Sequence, residues 1–271
     1  MKPLIHFTHP SLLRPTNPVS VALIGAGGNG SLMLTALGRI HHSLITLGHP
    51  GLQVSVFDGD SVNAANLGRQ LFAECELGLY KAEALISRCN RFFGTDWQAI
   101  NRPFQKKGER IEDQAMANIY ISCVDTASAR FGIADIIEGT RRHYGYLNQP
   151  RYWLDMGNGQ QTGQAILATI GSHQQSSSQK FRTVDHLPFV TDEFRDLMLS
   201  QDDSDMPSCS LAEALEKQDL FINPAITSLA GSLLWKLFRQ GHILEKGFFL
   251  NLETIQSKAI PLAPAAISRI A

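Results

Sequence analysis

The apolar run Val19–Ile24 (VSVALI), followed directly by the glycine-rich segment Gly25–Gly30 (GAGGNG), decides the fold. A short uninterrupted apolar run that ends in glycines is typical of a buried strand. From Ser31 to about Leu47 the apolar residues recur at mostly helical spacing. The sequence therefore predicts a strand, a tight glycine turn and a helix, which is the first unit of an alternating α/β fold.

The first half of the chain continues this alternation. Strands are predicted at 53–58, 97–100 and 118–124, and helices at 80–92 and 127–137. Alternating strands and helices imply a Rossmann-like, mostly parallel sheet with flanking helices and right-handed crossovers.

The second half predicts a smaller mixed or antiparallel part. Two strands are expected at 153–157 and 163–170, a helix at 223–239 and a late strand at 247–252. Between them, residues from about 171 to 209 are largely polar, and a loop this long inside one domain is usually functional.

We therefore predict one domain preceded by a short arm. The arm is 1–18, which contains four prolines, and the domain is 19–271. The domain divides into a first half, 19–150, and a second half, 151–271, which carries the long loop.

Composition narrows the classes of function. Hydrophobic residues make up 44% of the 271 residues, charged residues 18%, and the net charge is −1, so neither nucleic acid nor a membrane is expected as the main partner. An apolar segment long enough for a signal peptide or a membrane span is missing. The four cysteines form no CxxC pair, so we expect no zinc site and a reducing cytoplasm.

The glycine turn and the acid that follows the next strand point to a nucleotide. Glycines allow a close backbone approach, and the following helix directs N–H groups and its positive dipole end at a phosphate. Asp58, at the end of the second strand, is placed to accept hydrogen bonds from ribose hydroxyls. These features alone fit NAD, FAD, S-adenosylmethionine or ATP, or a tight turn without a ligand.

Three further charged residues favour ATP chemistry over hydride transfer. Arg69 and Lys81 supply cations for the β- and γ-phosphates. Asp125, at the end of a predicted strand, is placed to bind Mg²⁺. Taken singly, the two cations fit a solvated surface equally well, and Asp125 fits the N-cap of the helix from Ala127.

Four consecutive motifs resemble the ThiF/MoeB/ubiquitin-E1 superfamily in order and spacing over residues 19–170. The superfamily reads GxGGxG, DxDxVxxxNLxRQ, GxxK and CxD[NST]. The corresponding segments here are GAGGNG, FDGDSVNAANLGRQLF, GLYKAEAL and SCVDTASAR. In finer detail the chain is similar to the ThiF-related protein of the bacterial PRTRC cassette, which occurs with ubiquitin-like and E2-like partners.

The resemblance implies roles at the matching positions. It implies that Asn66, Arg69 and Lys81 bind the triphosphate and that Asp125 holds Mg²⁺. It also implies a homodimer, in which Arg14 of the arm is the candidate to reach the ATP of the other subunit. The full set implied to bind the nucleotide is Gly25, Gly27, Gly28, Asn29, Gly30, Asp58, Asp60, Asn66, Arg69, Gln70 and Lys81.

Cys209 stands in Met206–Leu211 (MPSCSL), which resembles the surroundings of the E1 thioester cysteine. A reactive thiolate needs exposure and a helix N-terminus that lowers the thiol pKa, and Ser210–Lys217 is predicted to form such a helix. The alternative is a small residue in a helix cap.

The resemblance implies an ATP-dependent adenylyltransferase that activates the C-terminal carboxylate of a small ubiquitin-like protein. The acyl group would then pass to a thiol such as Cys209, or to another acceptor. Two alternatives remain: a non-catalytic ATP-binding scaffold, and an NAD-dependent Rossmann oxidoreductase, which leaves Arg69, Lys81 and Asp125 without a role.

Overall fold

A computed structural model describes residues 2–105, 115–140, 149–199 and 218–262. The elements of the first half, in chain order, are β1 (Leu4–Phe7), α1 (Pro10–Leu13), β2 (Val19–Ile24), α2 (Gly28–Thr46), β3 (Leu52–Phe57), α3 (Lys81–Phe93), β4 (Gln98–Ile100), β5 (Ile119–Ser122) and α4 (Ala127–Thr140). Those of the second half are β6 (Tyr152–Asn158), β7 (Thr162–Thr169), β8 (Arg182–Thr183), α5 (Val190–Glu193), α6 (Arg195–Leu199), α7 (Ile222–Gln240), β9 (His242–Ile243), β10 (Glu245–Asn251) and β11 (Gln256–Pro261).

One eight-stranded sheet carries the fold, in the order β11-β10-β7-β6-β5-β2-β3-β4. The strands from β6 to β4 pair in parallel, and β7, β10 and β11 extend the sheet antiparallel from β6. This confirms the predicted Rossmann-like sheet with an added antiparallel part.

The apolar runs become central strands because helices cover both faces of the sheet. All four residues of β5 are buried, and β2 is buried except at Ser20. One large core cluster includes residues of α2, α3 and α7, and a second core cluster includes residues of α4 and α5. Two helices end where a glycine takes the left-handed conformation, α3 at Gly94 and α7 at Gly241.

The segment 171–199 contains more regular structure than the predicted loop. It includes β8, α5 and α6. Lys246 of β10 is fully buried and forms an ion pair with Glu193 of α5, which fastens this segment to the main sheet.

The arm forms a small second sheet with parts of the chain that are far away in sequence. Strand β1 lies between β8 and β9, parallel to the first and antiparallel to the second. The side chain of Gln175 adds two hydrogen bonds to the backbone of Phe7, at 2.7 and 3.1 Å. The arm therefore connects the segment after β7 to the end of α7.

Three histidine rings meet where the arm crosses β6. His6 contacts the Tyr152 hydroxyl at 3.0 Å, and the ring of His173 lies 4.9 Å from the Tyr152 ring and 5.2 Å from that of His9. His173 is only 2% exposed, and within the described residues its ring nitrogens have no hydrogen-bond partner. Burial, with the nearby His6, His9 and Arg151, lowers the pKa of His173 to about 3, and burial lowers that of His9 to about 4.

We expect this junction to make the protein sensitive to acid. A lowered folded-state pKa means that the unfolded chain binds the proton first, so stability is complete above pH 6.5 and is lost as the pH falls towards 3. Between pH 7 and pH 5, His173 is expected to cost about 1–2 kcal/mol of unfolding free energy. Urea unfolding of wild type and His173→Phe at both pH values measures this loss.

The variant should lose less stability on acidification than wild type. His42 is exposed on α2, so His42→Phe serves as the control and should follow wild type. Equal losses of stability in wild type and His173→Phe would contradict the assignment of the acid sensitivity to His173.

Candidate active site

The loops after β2 and β5 meet at the point where the strand order reverses. Strand β2 pairs with β3 on one side and with β5 on the other, and ligands of open α/β sheets bind at such a switch point. Gly25 has a φ of +91°, and a Cβ there would lie 2.6 Å from the carbonyl oxygen of Cys123. Only glycine lets these two loops approach so closely.

The glycine turn opens the N-terminus of α2 to a ligand. Gly27 is the N-cap residue of the helix, and a glycine has no side chain with which to cap the first N–H groups. A Cβ at Gly30 would collide with the carbonyl oxygen of Gly25, so the turn must stay tight. Uncapped N–H groups at a helix N-terminus form an anion site, as expected for phosphate.

Asp58 closes the turn from the end of β3. One carboxylate oxygen accepts a hydrogen bond from the Ala26 N–H at 2.7 Å, and the other accepts one from the Asp60 N–H at 2.8 Å. Burial raises the pKa of Asp58, against the opposing effect of these hydrogen bonds and of Lys81.

A pocket of about 600 Å³ opens beside Asp58, between the ends of β2, β3 and β5 and helix α4. Its walls include Phe57, Phe104, Val124 and Ile133. This size and this mostly apolar lining are usual for sites that hold a small organic ligand.

Lys81, the first residue of α3, is held by Asp60. The Lys81 ammonium lies 2.9 Å from the Asp60 carboxylate, and Lys81 is buried whereas Asp60 is exposed. The structure thus places Asp60 where it orients the lysine, beside Asp58.

Arg69 and Gln70 lie on the other side of the turn. The Arg69 guanidinium is half-buried and donates to the side-chain oxygen of Gln218. Burial lowers the pKa of Arg69, and the negative charge of Asp125 opposes this, so the two side chains lie within electrostatic reach. The Gln70 amide nitrogen lies 3.9 Å from the position of a Cβ on Gly27.

Asn66 has a structural contact that the sequence did not indicate. Its side-chain oxygen accepts a hydrogen bond from the Asn63 N–H at 2.9 Å and caps the 3₁₀ turn Ala64–Asn66. The Asn63 oxygen accepts one from the Ala65 N–H in return. The turn fixes the backbone just ahead of Arg69.

Several buried polar atoms around the turn have no partner within the described residues. They are the side-chain oxygens of Asn29 and Gln70 and the Nε of Arg69. Buried polar groups are nearly always paired, so unpaired atoms clustered at one place indicate a missing ligand or water.

Asp125 is exposed at the end of β5 and suits a magnesium ion. Mg²⁺ keeps several waters and is usually held by one or two carboxylates together with substrate phosphates. In the described residues, no group of three or more His, Cys, Asp or Glu side chains could hold a metal ion. A site completed by a nucleotide needs no such group.

A buried ion pair that the sequence analysis did not predict supports the Asp125 loop. Nε of Arg130, on α4, lies 3.1 and 3.2 Å from the two carboxylate oxygens of Asp155, on β6. Asp155 also accepts a hydrogen bond of 2.6 Å from the Ser122 hydroxyl. Arg130 reaches the carbonyl oxygens of Asp125 and Thr126 at 3.4 and 3.3 Å.

Of the other predicted site residues, Cys209 falls outside the described residues. Arg14 is exposed just after α1. Cys89 and Cys123 are buried, and burial raises the pKa of the Cys89 thiol to about 11, so neither suits a reactive thiolate.

The glycine turn at the switch point, together with the acid after the neighbouring strand, places the protein in the Rossmann-like class of α/β proteins. Residues 5–239 match the ThiF family, so the chain belongs to that family. This confirms the resemblance at the family level. No curated protein matches the sequence.

Solved structures with the same fold include two different proteins. Escherichia coli MccB with MccA has a TM-score of 0.57 at 14% identity, covering 95% of this chain and 66% of MccB. PaaA has a TM-score of 0.57 at 14% identity, covering 92% of this chain and 65% of PaaA. A structure of MccB with ATP has a TM-score of 0.53 at 16% identity, covering 96% and 68%. The chain thus spans about two thirds of the length of these relatives.

No helix within the described ranges has the length and apolar character needed to cross a bilayer.

Proposed function

We propose that this protein uses ATP to adenylate a carboxylate, as E1-like enzymes do, and that its substrate is the C-terminus of a small ubiquitin-like protein. The observation that carries the proposal is the N-terminus of α2 at the switch point, with Asp125 in the adjoining loop and Arg69 within electrostatic reach of that acid. Hydride transfer with a nicotinamide cofactor would leave this arginine and this acid without an assigned role.

The nucleoside would occupy the pocket beside Asp58. An ionised carboxylate has about four acceptor positions, and the structure uses two of them for backbone N–H groups. The remaining positions are available to ribose hydroxyls, and the apolar walls of the pocket suit the base.

The triphosphate would run from that pocket across the start of α2. The helix N–H groups, Arg69 and Lys81 would then surround it with donors and positive charge. Mg²⁺ bound to Asp125 would neutralise further phosphate charge.

In the proposed reaction, a carboxylate oxygen of the partner forms a bond to the α-phosphorus. The bond from that phosphorus to the oxygen bridging to the β-phosphorus breaks, and pyrophosphate leaves with its electron pair. The chain contributes positioning and fixed positive charge rather than covalent chemistry.

The finer proposals rest on the resemblance to the PRTRC-cassette family. They are a homodimer in which Arg14 reaches the partner's ATP, an E2-like acceptor, a thioester on Cys209, and action in the cytoplasm. MccB is a fold relative that has been observed with ATP and with MccA, which supports a site for a nucleotide and a peptide.

Exchange of labelled pyrophosphate into ATP tests the adenylation step. We expect exchange with Mg²⁺ and a ubiquitin-like protein that has a free C-terminus, and none when that C-terminus is amidated. ATP binding without exchange would instead indicate a non-catalytic scaffold. A change of nicotinamide absorbance with substrate would indicate an oxidoreductase.

A further inference from the structure

The side chain of Gln218 covers Arg69 at the start of α2. Its oxygen accepts hydrogen bonds from the Arg69 guanidinium and, at 3.3 Å, from the Asn223 amide. Neither Gln218 nor Asn223 belongs to the motifs that mark the family, and both lie about 150 residues beyond Arg69 in the sequence. One neutral oxygen thus receives two donors at the edge of the proposed triphosphate site.

Asn223 belongs to the first turn of α7 and is almost completely buried. A Cβ on Gly28 would lie 2.5 Å from its amide nitrogen. Gly28 must therefore lack a side chain because the Asn223 amide lies against it. The N-terminal turns of α2 and α7 consequently face the same place, and both helix dipoles favour negative charge there.

The unpaired buried atoms lie around the same place. Gln70 and Asn29 are each 7% exposed, and each has a side-chain oxygen with no partner in the described parts of the chain. The Arg69 Nε is also unpaired there. The contacts of Gln218 therefore satisfy only part of the polar surface at this site, which indicates that a larger polar ligand belongs there.

We propose that the Gln218 oxygen takes the place of one triphosphate oxygen in the free protein, and that ATP displaces it. Asn223 then donates, together with Arg69, to that phosphate oxygen. This inference rests on the proposed function, since it assigns two more residues to the same nucleotide site.

The physical reason is the difference between a neutral and an anionic acceptor. Hydrogen bonds to a phosphate oxygen are charge-assisted and about twice as strong as those to an amide oxygen. ATP therefore outcompetes Gln218. The competition still lowers the apparent affinity for ATP, because ATP must displace Gln218 in the fraction of molecules in which Gln218 already binds Arg69.

Two substitutions are expected to act in opposite directions. Gln218→Ala removes the competitor and should tighten binding of ATP and of inorganic tripolyphosphate by roughly three- to tenfold. Asn223→Asp keeps the size of the side chain but replaces a donor with a negative charge, and should weaken both by roughly tenfold or more. Isothermal titration calorimetry on the full chain measures both ligands.

Gln256→Ala, at an exposed glutamine of β11, is the matched control and should bind like wild type. If Asn223→Asp does not fold, Asn223→Ser removes the amide donor without adding charge and should still weaken binding. Unchanged or weaker binding by Gln218→Ala, or unchanged binding by the Asn223 variants, would overturn the inference.

The outcomes also separate this inference from the proposed function. Opposite shifts in tripolyphosphate affinity without any pyrophosphate exchange would support the inference and refute the adenylation step. Pyrophosphate exchange by wild type, with no shift in tripolyphosphate affinity in either variant, would support the adenylation step and refute the inference. A wild-type chain that binds neither ATP nor tripolyphosphate would refute both.

Discussion

Asp125→Ala is expected to lower pyrophosphate exchange by roughly a hundredfold or more, since groups that stabilise transition-state charge commonly have effects of this size. Asp125 lies in the loop after β5, beside the glycine turn, is exposed, and is within electrostatic reach of Arg69. Removing it leaves the metal without its proposed protein ligand. Asp125→Asn should lose nearly as much activity, because the amide keeps the shape but not the charge.

The fold should survive these substitutions, because an exposed side chain carries little of the stability. Asp96→Ala, at an exposed aspartate ahead of β4, is the control for a simple change of net charge. Pyrophosphate exchange by Asp125→Asn should require a higher Mg²⁺ concentration than exchange by the control. Full exchange by Asp125→Ala would refute the proposed magnesium role.

The parallel half of the sheet was predictable because its strands are buried on both faces. Continuous apolar runs such as Val19–Ile24 and Ile119–Ser122 are typical of strands that are buried on both faces. Strand β11 was missed because five of its six residues are exposed, all but Ile260, and they show no alternation. Strand β1 was missed because its partners, 182–183 and 242–243, are far away in the sequence.

Short motifs predicted part of the candidate site. The motifs indicated Asp58, Lys81 and Arg69, but not what holds each of them in place. Contacts such as Lys81 with Asp60 and Arg69 with Gln218 depend on side-chain positions that spacing does not encode. The reason for glycine at position 28 was equally hidden, because the side chain that excludes a Cβ there comes from α7.

The ion pair of Arg130 and Asp155 leaves a signal in the sequence. Asp155 is the one charged residue of the apolar stretch YWLDMG, and Arg130 directly precedes the largely apolar stretch FGIADII, whose one charged residue is Asp135. Charges that face a core are nearly always paired, so two opposite charges in neighbouring apolar elements indicate an ion pair.

Arg130→Met is expected to lower the unfolding free energy by about 3–5 kcal/mol, because it leaves the buried Asp155 carboxylate without its counter-charge. The side chains of Arg130 and Asp155 are 7% and 1% exposed, so water cannot replace the lost counter-charge of Asp155. Denaturant unfolding measures the loss. Lys236→Met is the matched control, since its partner Glu245 is 3.9 Å away and both side chains are well exposed, and it should cost less than about 1 kcal/mol.

The double variant Arg130→Met, Asp155→Leu separates stability from positioning. Replacing a buried ion pair by apolar residues is often neutral, so the double variant should regain most of the lost stability. It should not regain pyrophosphate exchange, because the hydrogen bonds from Arg130 to the carbonyl oxygens of Asp125 and Thr126 remain absent. Exchange that returns together with stability would show that the pair supports the fold alone and does not position the Asp125 loop.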